Sequence, residues 1–326
     1  MKLAILGTGN IIEDALTAIS EVKEIEKAAI LARPKSIEKG EDFARRFNIK
    51  KVYTDYDELL ADDEIDTVYV GLINSVHYSY TKQALLAGKN AIVEKPFCPT
   101  YEESKELFDL AKEKGLFIFD AVTPRHSEVF EKMKEFLPKL GQIRGVQGNY
   151  SQYSSRYERY LNKDIAPAFD PKAFGGALHD LGIYNLNIVV ALLGKPENVR
   201  YDPNCGFNGV DVSGFILLRY PGFLASLMAA KDADSPGFLT IQGENGWIKI
   251  PGKPNEVQAL DYCIDGEKGH FDPKPLKNRM TQEFIDFERI VREADRAEME
   301  HEMTATLSII QALEQARKSS GIEYGG

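Results

Sequence analysis

Lys2-Leu3-Ala4-Ile5-Leu6-Gly7-Thr8-Gly9-Asn10-Ile11-Ile12 is the stretch on which the fold turns. Leu3 to Leu6 is a short, unbroken apolar run, the pattern of a strand buried on both faces of a parallel sheet. It ends at Gly7, and a periodic, helix-like pattern begins after Gly9. In a dinucleotide-binding unit the first glycine of such a turn permits the tight bend. The second lets backbone approach a pyrophosphate, which rests on the positive end of the helix. Gly7, Thr8, Gly9, Asn10 and Ile11 are therefore candidate cofactor contacts. The third motif position is usually small so that helix and strand can pack closely, and here it is Ile12. An ordinary tight β–α turn carries the same half-motif.

Outward from this turn, short apolar runs alternate with amphipathic stretches as far as Asp120. Strands are expected at Lys2–Leu6, Lys27–Ala32, Thr67–Leu72, Asn90–Val93 and Phe117–Asp120. Helices are expected at Ile12–Val22, Ser36–Phe47, Tyr56–Asp62, Tyr80–Ala87 and Tyr101–Lys114. This rhythm predicts an α/β unit with a doubly wound, mostly parallel sheet over residues 1–122.

The rhythm then changes. Helical patterns at Ser127–Leu137, Ala177–Leu193 and His301–Ser319 accompany strand patterns at Gln142–Tyr153, Val199–Tyr201, Val212–Tyr220, Phe223–Ala229, Phe238–Gln242, Trp247–Ile250 and Val257–Cys263. Pro221-Gly222 and Glu244-Asn245-Gly246 punctuate hairpins. Residues 123–326 are accordingly expected to form an α+β domain with a large open, mostly antiparallel sheet.

The chain has 326 residues, with 40 Lys and Arg against 50 Asp and Glu, a net charge of −10. At about 150 residues per domain, two domains are expected. An acidic total disfavours nucleic acid, whose binding rests on phosphate neutralisation by Lys and Arg. No window approaches the roughly 18 apolar residues of a membrane span, and no membrane partner is expected. Cys98, Cys205 and Cys263 are odd in number and form no CxxC pair, which reads as free thiols in the cytoplasm.

The end of the second strand bears on the choice of cofactor. An NAD site usually places Asp or Glu there to bind the ribose 2′-hydroxyl. Ile30-Leu31-Ala32-Arg33-Pro34-Lys35-Ser36 has no acid and two cations. Arg33 can fork onto a 2′-phosphate and Lys35 adds charge, so NADP is expected, with NAD the alternative. A solvated basic turn is the bland reading.

Four further stretches carry chemistry. Glu94-Lys95-Pro96 follows a strand, and a lysine at the carboxyl end of a parallel strand lies where ligands bind in such sheets. Its ammonium can orient a hydroxyl and exchange its proton. Asn74, His77, Glu94 and Lys95 complete the cofactor-side candidates. In Gly175-Gly176-Ala177-Leu178-His179-Asp180-Leu181-Gly182-Ile183-Tyr184, Asp180 and Tyr184 share a helix face while His179 must point elsewhere. Arg156 and Arg159 lie in a polar loop, and Arg156 is a candidate substrate contact. No His/Cys cluster has metal-ligand spacing, and no nucleophile elbow or P-loop appears.

Taken together, these segments resemble the glucose–fructose oxidoreductase / inositol dehydrogenase (Gfo/Idh/MocA) family over almost the whole length. The resemblance rests on Gly7-Thr8-Gly9, Tyr69 to Asn74, Ala87-Gly88-Lys89 before Glu94-Lys95-Pro96, Gly175-Gly176, Asp180-x-Gly182-x-Tyr184, and Gly243-x-x-Gly246. It implies a nicotinamide-dependent oxidoreductase acting on a sugar, polyol or other small vicinal diol. By the same resemblance Lys95, Asp180 and Tyr184 surround the carbon that exchanges hydride, and subunits pair through the second sheet as a homodimer or homotetramer. Tyrosine rather than histidine at 184 is more similar to the dihydrodiol dehydrogenases and glucose–fructose oxidoreductase than to the inositol dehydrogenases. Departures are Ile12, and Gly71-Leu72-Ile73-Asn74 where many members have Ala-Thr-Pro-Asn. Two other readings stay open: an NAD-dependent redox glycosidase and a non-catalytic NADP-binding sensor.

Overall fold

A computed structural model describes residues 1–274 and 276–324, which divide into two compact units. The first contains Met1–Ala121. Its elements are β1 (Lys2–Leu6), α1 (Asn10–Ile19), β2 (Glu26–Leu31), α2 (Ile37–Phe47), β3 (Lys51–Tyr53), α3 (Tyr56–Leu60), β4 (Thr67–Val70), α4 (His77–Leu86), β5 (Asn90–Glu94), α5 (Tyr101–Lys114) and β6 (Ile118–Ala121). The sheet order is β3-β2-β1-β4-β5-β6 with every pairing parallel. The order reverses between β1 and β4, which opens a crevice at the strands' carboxyl ends where dinucleotides bind in such sheets. Leu3 to Leu6 are wholly buried, as an apolar run covered on both faces requires. The three-residue β3 escapes sequence reading because Lys51-Val52-Tyr53 is too short to show a period.

The second unit contains Val122–Lys274 and residues 305–324. It begins with α6 (Glu128–Phe136), β7 (Ile143–Ser151), α7 (Tyr157–Leu161) and α8 (Ile183–Leu193). The strands β8 (Asn198–Cys205), β9 (Asp211–Tyr220), β10 (Phe223–Ala230), β11 (Phe238–Gly243), β12 (Gly246–Ile250), β13 (Leu260–Ile264) and β14 (Glu267–Phe271) follow. They form one sheet in the order β14-β13-β12-β11-β7-β10-β9-β8, antiparallel except for the β7–β10 pair. The missed β14 folds back on β13 through Asp265-Gly266, both at positive φ, a hairpin turn chemistry that the sequence does display. One face of the sheet keeps apolar side chains in the open: Phe215 is 46% exposed and Leu224 52%.

Two sequence expectations need correction here. The stretch Pro171–Leu193 is long and apolar enough, by length and composition, to cross a membrane, although no such window was expected; most of it is buried inside the fold. Within it, Ile183 to Val190 are all buried, as in a helix enclosed by protein. The second concerns the second domain, expected to run unbroken over 123–326. Residues 276–304 pack with the first unit, not the second. There α9 (Thr281–Arg292) lays Phe284 against Tyr69 on β4, ring centroids 5.6 Å apart, and stacks Phe287 on Phe119 of β6 at 4.7 Å. The last helix, α10, runs from Arg296 to Ser320. Phe284, Phe287 and Ile290 show helical spacing, but periodicity reveals an apolar face without revealing which sheet it will cover.

Candidate active site

At the end of β1 the chain bends at Gly7, whose φ of +110° suits glycine. A Cβ there would lie 3.0 Å from the Gly71 carbonyl oxygen, so the turn and the loop after β4 touch through bare backbone. Gly9 caps α1 in extended conformation and lends no side chain to the first turn. A Cβ on Gly9 would meet nothing within 4 Å. The helix therefore presents its first N–H groups across open space, the arrangement that receives a phosphate. The residues present fit a dinucleotide.

The two departures from the family pattern prove to be one feature. Ile12 is wholly buried, and its Cδ1 would lie 2.4 Å from a Cβ built on Gly71. The bulk added at the third motif position thus fills the space left by the missing side chain at 71. Gly71→Ala alone is expected to cost about 1–3 kcal/mol through overpacking. Ile12→Ala alone is expected to cost about 2–5 kcal/mol through a cavity. Combined, they should cost clearly less than their sum in urea unfolding; strict additivity would show that the sites are independent.

Beyond β2, Arg33 and Lys35 are both exposed on the turn that heads α2. Among the described residues neither has an ion-pair partner, which leaves both cations available to an anion.

After β4 the structure revises two cofactor candidates. His77 is fully buried, with Nδ1 3.0 Å from the Pro96 carbonyl oxygen and Nε2 3.1 Å from that of Leu72. Burial lowers its pKa, opposed by the Leu72 and Pro96 carbonyls, and the ring joins the loops after β4 and β5. Glu94 is also buried and accepts a hydrogen bond from the Tyr69 hydroxyl. Burial raises its pKa, opposed by that hydrogen bond and by the Lys95 charge. Its carboxylate anchors the end of β5 inside the unit and does not reach for a ribose. Asn74 opens the short turn Asn74–Val76, half-buried. Lys95 is half-buried at the carboxyl end of β5, before a cis Lys95–Pro96 peptide.

In the second unit, Asp180 stands within a π-helical turn, Leu178–Gly182, and Tyr184 lies in the first turn of α8. Such turns are frequent at functional sites. The two side chains are one turn apart, as the spacing predicts. Tyr184 is 7% exposed, with its ring edge-on to Tyr150 at 5.8 Å. His179 is buried against Phe174 and Tyr324; burial, then the Arg317 charge, pushes its pKa down to about 3.

Two residues that the sequence reading passed over hold this turn. Asp211, wholly buried, accepts from the Leu178 N–H at 2.6 Å and from the Tyr201 and Tyr324 hydroxyls, each at 2.7 Å. A Cβ on Gly176, where φ is +108°, would collide with that carboxylate at 1.8 Å. Lys231, just past β10, places its Nζ 2.9 Å from Asp180 Oδ2. Neither carries a local sequence signal, since each is a single charge at the end of an apolar strand. Arg156 is exposed in the loop before α7, and Arg159 pairs with Asp164 at 2.7 Å as surface charge. Among the described residues no cluster of His, Cys, Asp or Glu could hold a metal ion.

Comparison with known proteins accords with this geometry. Residues 1–121 match the family model described as "Oxidoreductase family, NAD-binding Rossmann fold", and residues 130–249 match "GFO/IDH/MocA C-terminal domain". A scyllo-inositol 2-dehydrogenase (NADP(+)) of Bacillus subtilis (strain 168) is 31% identical, covering 99% of this chain and 98% of its own. A trans-1,2-dihydrobenzene-1,2-diol dehydrogenase of Sus scrofa is 27% identical over 99% of this chain and 98% of its own. A 3-ketoreductase of Actinomadura kijaniata, solved with NADP and TDP-benzene, shares the fold at a TM-score of 0.84 and 20% identity, covering 98% of both chains.

Proposed function

This chain belongs to the Gfo/Idh/MocA family of NAD(P)-dependent oxidoreductases, and we propose that within it the protein is a cytoplasmic, NADP-linked dehydrogenase of a sugar, polyol or other small vicinal diol. The observation that carries the choice of NADP is the turn after β2. It has no carboxylate to repel a 2′-phosphate, and Arg33 and Lys35 stand exposed beside it. The relatives that act on scyllo-inositol and on dihydrobenzene diol support the substrate class. Nucleic acid and membrane have no place in this reading.

Gly7, Thr8, Gly9, Asn10 and Ile11 would hold the pyrophosphate at the head of α1, and Arg33 with Lys35 the 2′-phosphate. Bound NADP supplies the hydride acceptor. In the oxidising direction Lys95 and Tyr184 hold the reacting hydroxyl, and one of them takes its proton. Asp180 orients them and keeps positive charge local, while Arg156 is offered to the substrate's polar groups. The apolar residues Phe215, Leu217 and Leu224 on the open sheet face are where a second copy would dock. Light scattering is expected to give a dimer or tetramer, and a monomer would refute that surface.

An absorbance assay of cofactor reduction across scyllo-inositol, aldoses, other polyols and dihydrodiols tests the function. Activity with NADP is expected, and Arg33→Ala should raise the KM for NADP about 10- to 100-fold, the worth of a charge-assisted contact, with little change for NAD. Activity with NAD alone would overturn the assignment. Net reduction in solution would also exclude the redox glycosidase, and turnover of any substrate would exclude the sensor.

A further inference from the structure

We infer that Lys231 is the positioning residue for Asp180, a buried ammonium that keeps this carboxylate ionised and fixed in one orientation. The inference rests on the reading of Asp180 given above. Lys231 is 2% exposed. Its backbone is held on both sides: its N–H donates to the Val212 carbonyl at 2.8 Å, and its own carbonyl accepts from the Ser154 N–H at 2.9 Å. The side chain therefore leaves from a fixed origin at the end of β10.

Three partners surround the ammonium. Nζ donates to the Ala168 carbonyl at 2.6 Å, lies 2.9 Å from Asp180 Oδ2, and stands 4.3 Å above the centre of the Phe169 ring. Phe169 is itself wholly buried, in an apolar cluster with Tyr160, Val210 and Val212. The pair is asymmetric, because the cation is enclosed while the Asp180 side chain is 38% exposed. A buried ammonium needs a counter-charge, and Asp180 is the carboxylate in direct contact with it, while the buried Asp211 acts on it from farther off.

Stability alone is a poor reason for this arrangement. Apolar side chains of similar volume at both positions would fill the same space without a desolvation penalty, and such replacements of whole buried ion pairs are often neutral or stabilising. What the lysine supplies, and a methionine cannot, is a fixed positive charge against Asp180. Opposite charge at this distance favours the ionised carboxylate, and the short contact restricts its rotamer.

The test is a cycle of Lys231→Met, Asp180→Asn and the double variant, with Lys231→Arg as the conservative control. Unfolding in urea, read without substrate, tests the pairing. Asp180→Asn should lower the midpoint by stranding the ammonium, and adding Lys231→Met should restore it. Initial rates with NADP and a polyol that the wild type oxidises, scyllo-inositol being the first probe, test the positioning. Lys231→Met should lower kcat about 10- to 100-fold, the worth of one charge-assisted hydrogen bond, with the KM for NADP within about twofold. Lys231→Arg should regain part of the loss, and the double variant should be no slower than Asp180→Asn alone. Wild-type kcat in Lys231→Met, or losses that multiply in the double variant, would overturn the inference. If Lys231→Met does not fold, the same cycle is run with Lys231→Arg, and independent effects of the two changes are the adverse result. A wild type that reduces no cofactor with any probe sinks the proposed function, while the unfolding cycle still judges the pair: additive midpoints overturn it and non-additive ones support it.

Discussion

Lys95→Ala is expected to lower turnover by about 10²- to 10⁴-fold, the usual worth of a positioned acid–base group, while NADP affinity stays within about twofold. The separation of the two effects follows from how the residue is held. Its neighbours are anchored independently of its side chain: Glu94 by the Tyr69 hydroxyl, and the Pro96 carbonyl by the His77 ring. Removing the ammonium leaves both anchors, and it leaves the turn at Gly7 and Gly9 untouched. Fluorescence titration of NADPH and steady-state rates read the two quantities separately. Undiminished turnover would remove Lys95 from the mechanism, and a parallel loss of cofactor binding would show that it serves the cradle instead.

Asp211→Ala is expected to cost about 3–5 kcal/mol, because a wholly buried acceptor for three donors disappears at once. The Leu178 N–H and the Tyr201 and Tyr324 hydroxyls would all be left without it. Asp211→Asn keeps one acceptor oxygen and should cost less. The damage should also reach activity, since Leu178 begins the turn that carries Asp180. Urea midpoints rank the variants. An Asp211→Ala midpoint equal to that of the wild type would mean that the turn is held by packing alone.

Both sheets were legible in the sequence because their strands advertise themselves, as continuous apolar runs in the first and as alternation between turn residues in the second. What periodicity could not show was allegiance. The apolar stripe of α9 is plain once its spacing is laid out, yet nothing local tells that it belongs beneath Tyr69 and Phe119. The three-residue β3 lacks the length to declare a period, and β14, Glu267-Lys268-Gly269-His270-Phe271, is too polar to show an apolar face.

The candidate site divides along the same line. Gly7, Gly9, Arg33, Lys95, Asp180 and Tyr184 were accessible because each occupies a motif position or an element end with a stated chemical use. Asp211 and Lys231 were not, because their meaning lies in partners distant in sequence: Leu178 is 33 residues from Asp211, and Ala168 is 63 from Lys231. His77 and Glu94 are buried, and the sequence does not show that their side chains hold the loop and strand ends together. Ile12 and Gly71 are far apart in sequence, and only the fold brings the Ile12 side chain into the space that a Cβ at 71 would take.

The return of residues 276–304 to the first unit shapes how this protein must be born. On a ribosome adding about 5–20 residues per second, roughly ten to thirty seconds separate the emergence of β6 from that of α9. Throughout that interval the nascent sheet would show Tyr69 and Phe119 to solvent without their aromatic cover. The first unit is thus begun before the second and completed only after most of the second has been made, and a holding chaperone has its natural client in that half-made sheet.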